Sequence, residues 1–520
     1  MSDGLSISGG VDGVGARLQD LRAQAGLLDD AGDDVRGWTD DVAKIALDPD
    51  ITVAALLCPV EVAGVAATVA GATVGRHGLL VVSTGLEATA IVLRASATTY
   101  EFVDAASQAM LERLQNAAGF VLGATLPFLA LGGGAALLGG GMVLAGNPSR
   151  WPALVLAARN LDPAALQAAT MQGLYENPWL LDRLTRMAPG MLQGTTWSLG
   201  TLLGGPAGGF AVPYVLSGGQ WPTQSYEDAV AGLVNAGGRF GMLGDTGEVG
   251  VTKSGDEDPD HAPRSIAEIF REQNDLGTDL GTVQIVRVTG SDGSASWIVQ
   301  IPGTQEWHPT RGDNPVDLTT NLRLMAGEAT FMQKQVAEAM RQAGVLAGDP
   351  VMLTGHSQGG ITAASLAADS TFRDQFSVRS VVTGGSPIAR FDIPSTVSVL
   401  SLEHVQDAVP MLEGRENPAR ANWVSVERTL PEKAHQVADT SDMYDEPVPA
   451  REFQKYGPEG SPPRRVTIGP GVGAAHGTDV YADTGALVDA SEDVSVQRWL
   501  DGQSRFFSGD ADVTRWDVTR

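Results

Sequence analysis

Residues 351–361 read VMLTGHSQGGI: an apolar run, a serine set among glycines, and the start of an Ala-rich stretch. The run 351–354 has the length and composition of a buried strand, and the residues from Ile361 onward suit a helix. Only Gly355-His356-Ser357-Gln358-Gly359 lies between them, so the chain must turn sharply. Gly355 and Gly359, two residues either side of Ser357, are what such a turn requires, because a side chain at either place would meet backbone. The turn lifts the Ser357 hydroxyl clear of the main chain, at the positive end of the following helix and beside free N–H groups that can hold an oxyanion. The pattern occurs once in the chain, and a serine so placed is a candidate nucleophile.

Working outward, residues 283–289 (VQIVRVT) and 296–301 (SWIVQI) are apolar runs joined by GSDGSA, which is hairpin turn chemistry. A helix is predicted over 320–343, with Met325, Ala329, Met332, Val336, Ala339 and Met340 at helical spacing. Further strands fit 378–383 and 397–402. Strands alternating with helices predict an α/β domain with a mainly parallel sheet over 265–520.

Serine is a poor nucleophile unless a histidine, oriented by a buried carboxylate, takes its proton. After this kind of strand-to-helix turn the expected chain order is Ser, acid, His. Three histidines follow Ser357. His404 sits where the acid belongs, directly after the strand, His435 lies in a polar insertion, and His476 lies in the loop GVGAAHGT, whose small residues suit a mobile base. His476 is favoured, with His435 and His404 as alternatives. Asp407 is favoured as the acid over Glu403 and Asp392, because a residue just past a strand's carboxyl end faces the site. One oxyanion donor is expected to be the N–H of Gln358. The second is expected from the loop Ile301-Pro302-Gly303-Thr304-Gln305, through Thr304 or Gln305.

The chain has 520 residues, which exceeds what one hydrophobic core organises, so at least two units are expected. With 35 basic against 62 acidic residues and a formal charge of −27, nucleic acid and anionic lipid surfaces are excluded as electrostatic partners. The single Cys58 rules out an internal disulfide framework and a Cys-based zinc site. No metal or organic cofactor is called for. The opening MSDGLSISGGVDG lacks the basic and apolar segments of a signal peptide.

The N-terminal region carries three-four spacing over 11–47 and again from Leu86 to Leu114, with an Ala/Val-rich stretch near 51–75. Residues 1–118 therefore read as a helical hairpin or bundle. The glycine excess, 64 residues in all, falls largely in 119–243. Residues 114–149 and 187–226 contain no charged side chain, and 119–147 and 196–219 are candidates for membrane contact, either spanning or as a buried hairpin. The polar, turn-rich 244–264 reads as a linker.

These segments together resemble the α/β-hydrolase superfamily and, within it, the class 3 lipases: IPGT at 301–304, GHSQGG at 355–360, TGGSP at 383–387, DAVP at 407–410 and a late His476. The resemblance covers about residues 280–485. It implies Ser357 as nucleophile, Asp407 as acid, His476 as base, Thr304 and Gln358 as oxyanion donors, and an acyl ester or lipid substrate. About 70 residues separate Asp407 from His476, including EPVPAREFQKYGPEGSPPRRV, an insertion expected to cover the site. The N-terminal region resembles the helical-hairpin substrates of type VII (ESX) secretion, with Tyr100 and Asp104 in the place of the Tyr-x-x-x-Asp/Glu signal. The usual Trp-x-Gly turn is absent, since Trp38 is followed by Thr39-Asp40. This resemblance implies export without a signal peptide and a helical partner, against a cytoplasmic enzyme with a helical docking module. An interaction protein or phospholipase-like toxin effector is the rival function.

Overall fold

The computed structural model describes residues 5–11, 13–54, 58–131, 174–277, 279–430, 451–455, 464–468 and 472–520. The chain divides into two compact units, Asp12–Met110 and the combination of Met1–Val11 with Leu111–Arg520.

The smaller unit is helical, with helices Val14–Ile45, Pro49–Ala54 and Pro59–Val74 and the first part of Leu79–Leu131. Two long helices run antiparallel, shown by ion pairs stepping evenly along them: Arg22 with Glu101, Asp29 with Arg94, and Arg36 with Glu87. Small buried residues, Ala25 and Gly32 on one helix and Ala90 and Ala97 on the other, let the pair approach closely. Tyr100 is exposed on the second long helix, and the side chain of Asp104 lies outside the described residues.

The larger unit is built on a nine-stranded mixed sheet flanked by helices. Its strands are β1 (Leu5–Gly9), β2 (Gly250–Glu257), β3 (Thr282–Thr289), β4 (Ala295–Ile301), β5 (Pro350–His356), β6 (Ser377–Gly384), β7 (Ser398–His404), β8 (Trp423–Arg428) and β11 (Asp510–Thr519). A separate antiparallel pair is formed by β9 (Arg451–Lys455) and β10 (Arg464–Ile468). The large sheet runs β1-β8-β7-β6-β5-β4-β3-β11-β2. Strands β4 to β8 are parallel, with antiparallel β1 at one edge and β3, β11 and β2 at the other.

Both faces of the parallel core are covered, which explains its continuous apolar runs. Val351 and Leu353 pack toward the helices Phe331–Ala343 and Gln358–Ala368, and Met352 packs toward Ile266–Leu276, Thr478–Asp489 and Val494–Phe507.

Three expectations need correction. The stretch 244–264 is not a linker, because β2 within it pairs with β11 at the sheet edge. The region 1–118 is not wholly helical, because β1 pairs with β8. The edge strand β2 is polar over TKSGDE and carries no strand-like apolar pattern, and β1 is a single five-residue LSISG whose Leu5 and Ile7 alternate onto the core but over too short a run to stand out. The helix over 320–343 is two helices, Leu318–Met325 and Phe331–Ala343, parted where Gly327 takes φ of 73°. The run 119–147 lies mostly outside the described residues.

Candidate active site

Ser357 stands between β5 and the helix Gln358–Ala368 with φ 55° and ψ −122°, a region costly for any residue with a side chain. Its N–H donates to the Gly384 carbonyl at 3.0 Å, which ties the turn to β6. The glycines around it are sterically required. A Cβ on Gly355 would lie 2.1 Å from the Gly359 carbonyl carbon, and one on Gly359 would lie 2.0 Å from the Ile301 carbonyl oxygen. Gly360 is equally constrained, 2.1 Å from Ser386 Oγ by the same measure.

Asp407 is fully buried three residues beyond β7, its N–H held by the His404 carbonyl at 2.9 Å. Its Oδ1 accepts the Val409 N–H at 2.9 Å. Its Oδ2 accepts from His476 Nδ1 at 2.7 Å and from the Tyr481 hydroxyl at 2.7 Å. A carboxylate accepts only, so His476 carries its proton on Nδ1 and keeps Nε2 for proton exchange. The His476 ring is 18% exposed, and its centre lies 4.5 Å from that of His356, the residue before Ser357. Gly385, at φ 62°, makes room here: a Cβ on it would lie 3.0 Å from both Asp407 Oδ2 and His476 Cε1. Gly303 closes the other side, where a Cβ would lie 3.5 Å from that of Ser357.

Three of the four alternatives are described, and each is engaged with other groups. Glu403 Oε1 accepts from Ser401 Oγ at 3.2 Å and from Asn417, and burial pushes its carboxyl up to about 7. Asp392 is almost fully exposed and pairs with Arg420 at 3.4 Å. His404 is buried with both ring nitrogens engaged, Nδ1 to the Ala475 carbonyl at 2.7 Å and Nε2 to Thr484 Oγ1 at 2.7 Å. Burial pushes it down to about 4, so at neutral pH Nδ1–H donates to Ala475 and Nε2 accepts from the Thr484 hydroxyl. No nitrogen is left to act as a base. His435 lies outside the described residues.

Burial, reinforced by the nearby His476, also pushes His356 well below its ordinary value, so this ring stays neutral beside the candidate base. Tyr481 is a site residue the sequence reading missed. It follows His476 in the helix Thr478–Asp489, stacks on His404 at 3.9 Å and donates to Asp407. Burial and the Asp407 charge push its hydroxyl well above 10, so it remains a donor. A tyrosine five residues after a candidate base was the signal available.

On the oxyanion side, the Gln305 N–H is taken by the Val316 carbonyl at 2.9 Å, and its side chain is held by Gly281, Asn314 and the Leu276 and Asp279 carbonyls. Of the two residues expected to supply this loop's donor, Thr304 is the one whose N–H is not taken by Val316, and Asn321 Nδ2 steadies its hydroxyl at 2.8 Å. Gln358 is buried, its Nε2 donates to the Asp317 carbonyl at 2.6 Å, and its backbone N–H stands in the first turn of the helix, where no intrahelical acceptor is available. Asp317 is anchored in turn by the buried Arg520 guanidinium at 2.6 and 3.1 Å, which also pairs with Asp245 at 2.8 Å.

Among the described residues, His261, Glu272 and Asp275 form one group whose donor atoms could hold a cation, all within 4.8 Å of one another. It involves the helix Ile266–Leu276 and none of the residues around Ser357.

The structure thus brings Ser357, Asp407, His476, Thr304 and Gln358 to the carboxyl ends of β4, β5 and β7, the edge where open parallel sheets bind ligands. Comparison with family models, with curated proteins and with solved structures finds no match to this chain.

Proposed function

We propose that the larger unit is an α/β-hydrolase, akin to the class 3 lipases, that cleaves carboxylic esters through a Ser357-His476-Asp407 triad. The observation that carries the reading is the 2.7 Å bond from His476 Nδ1 to a buried Asp407, with the His476 ring 4.5 Å from that of His356, which directly precedes a serine held at positive φ on a strand-to-helix turn. The order of Ser, Asp and His along the chain and the parallel β4–β8 core support it.

In the first step Ser357 Oγ bonds to the ester carbonyl carbon while His476 Nε2 takes the hydroxyl proton. The carbonyl π pair moves to oxygen, and the oxyanion is held by the Thr304 and Gln358 N–H groups. Donors of this kind contribute about 3 kcal/mol each when fixed in advance. Collapse breaks the bond to the leaving alkoxide, which receives the proton from His476 and departs as an alcohol. Water then attacks the acyl-serine with His476 again as base, the acyl bond to Ser357 Oγ breaks as Oγ takes the proton back from His476, and the free acid leaves. Asp407 keeps the imidazole in one tautomer and stabilises its charged form. Transfer to an alcohol in place of water would use the same intermediate.

Ser357→Ala should lower kcat on a short soluble acyl ester by at least about 10⁴-fold and abolish labelling by a fluorophosphonate. A variant that kept full activity would overturn the reading.

For residues 12–110, the antiparallel helix pair with Tyr100 exposed supports a role as a type VII export module for the enzyme or for an effector of the same chemistry. Export from an ESX-bearing host that survives Tyr100→Ala would count against it.

A further inference from the structure

The helix Pro178–Leu216 is broken in its middle. Gly204 (φ −134°, ψ 19°) and Gly205 (φ 66°, ψ −166°) leave helical geometry, and residues 206–216 fold back along the first arm. A Cβ on Gly200 would lie 2.5 Å from the Gly208 carbonyl oxygen, and one on Gly208 would lie 2.4 Å from that of Gly200. Trp197 meets Phe210 edge to face at 6.3 Å.

The other side of the first arm meets the helix Leu79–Leu131 through two facing small-xxx-small repeats. A Cβ on Gly119 or Gly123 would lie 2.2 or 2.0 Å from the Met187 or Met191 carbonyl oxygen. One on Gly190 or Gly194 would lie 2.1 Å from that of Asn116 or Phe120. Thr195 and Ser198 hydroxyls cross to the Gly123 and Ala124 carbonyls at 3.1 and 2.5 Å. The arms are joined backbone to backbone, so their large side chains turn outward. Leu199, Leu202, Leu203, Phe210, Tyr214 and Val215 are all exposed, Leu203 by 82% and Phe210 by 64%.

Water is a poor surrounding for such a prong, since its association gains little from apolar burial. Close glycine packing with polar cross-bonds is the mode that works where the surroundings are as apolar as the side chains. No charged residue interrupts 187–226. The root, by contrast, is fixed to the larger unit. Leu181 packs with Tyr175, Leu430, Ala475 and Val480, next to Ala408, and Gln193 exchanges hydrogen bonds with Thr223.

We propose that this prong is a lipid anchor that dips into one leaflet of an electrically neutral bilayer, entering and leaving on the same side. The return arm 206–216 is about 16 Å long, against a hydrocarbon core of about 30 Å, so it cannot cross. Beyond it the chain enters the polar helix Tyr226–Arg239, which Glu227 ties to Arg390 at 3.3 Å. The leaflet is neutral because the prong offers no Lys or Arg to anionic headgroups, and a chain of charge −27 is repelled by them. The anchor is independent of the chemistry at Ser357.

The test is flotation of the full chain with phosphatidylcholine vesicles, alone or with one-third phosphatidylserine. The natural sequence and Ser357→Ala should float equally with phosphatidylcholine, and phosphatidylserine should weaken both at low salt. A Leu199→Glu, Leu203→Glu, Phe210→Glu variant, its fold checked by circular dichroism, should bind at least tenfold less. Should it not fold, bromine-labelled phosphatidylcholine should quench a fluorescence component that Trp197→Phe removes. The proposal is overturned if the chain stays in the aqueous fraction, if the triple variant floats undiminished, if binding requires phosphatidylserine, or if labelled lipid quenches nothing that Trp197→Phe removes. A soluble oligomer that the same substitutions disperse, without vesicle binding, would assign the face to a second copy and overturn it as well.

Discussion

Two sets of glycines do the same steric work in two regions, with opposite surroundings. Around Ser357, Gly355, Gly359 and Gly360 let a strand, a helix and the β4 loop converge, and the side chains about them are buried. Along the prong, Gly200 and Gly208 let the two arms touch, and Leu199, Leu203 and Phe210 beside them point outward. In the first region close backbone approach concentrates polar groups at a point. In the second it releases apolar surface. Glycine content by itself therefore says nothing about function; what the freed space is filled with does.

The comparison breaks first at the triad. Asp407→Asn should leave the fold in place and lower kcat by about 10⁴-fold, since an amide that donates to Nδ1 forces the wrong tautomer on His476. Steady-state kinetics with a short soluble ester checks this, and the same change should leave vesicle binding unaltered.

Next come matched glycine substitutions. Gly359→Val sets its side chain against the Ile301 carbonyl and should cost more than about 4 kcal/mol in urea denaturation, as overpacking and strain combine at the nucleophile. Gly123→Val meets Met191 just as closely but should leave soluble-ester activity within about twofold. Equal loss of activity in both would erase the distinction between the regions.

A smaller effect concerns pH. Burial holds His404 at about 4 in the folded chain, against about 6.5 unfolded. Above pH 6.5 neither state is protonated and the term is constant. Between pH 6.5 and 4 only the unfolded chain gains the proton, so stability falls with acidification by up to about 3 kcal/mol. Stability curves of His404→Gln should lack this component. No counterpart is expected from the uncharged prong.

The smallest effect is that of Tyr481→Phe, which removes one of the two donors to Asp407 Oδ2. It should lower kcat about tenfold with KM unchanged and cost about 1 kcal/mol of stability.

Much of the candidate site was legible because its determinants are local. A serine between glycines, with a strand before and a helix after, encodes its own turn within a few residues, and chain order then limits the acid and base to a few positions. The α/β character of 265–520 was legible for the same reason, since buried parallel strands are short apolar runs. The short edge strand β1 and the polar edge strand β2 were not, and neither was β11, whose alternation is broken by a bulge between Arg515 and Trp516.

What the amino-acid sequence determined by itself was the turn around Ser357, the chain order of Ser357, Asp407 and His476, and the absence of charge along 187–226. Tertiary structure alone decided between Thr304 and Gln305, because the Val316 carbonyl claims the second N–H. It turned His404 from a possible base into a brace for the Ala475 carbonyl, and it brought Tyr481 onto Asp407. It also folded one apolar run back on itself at Gly204 and Gly205. Each of these turns on which donor meets which acceptor, or which backbone meets which, across a long stretch of chain, and a local pattern carries no record of that meeting.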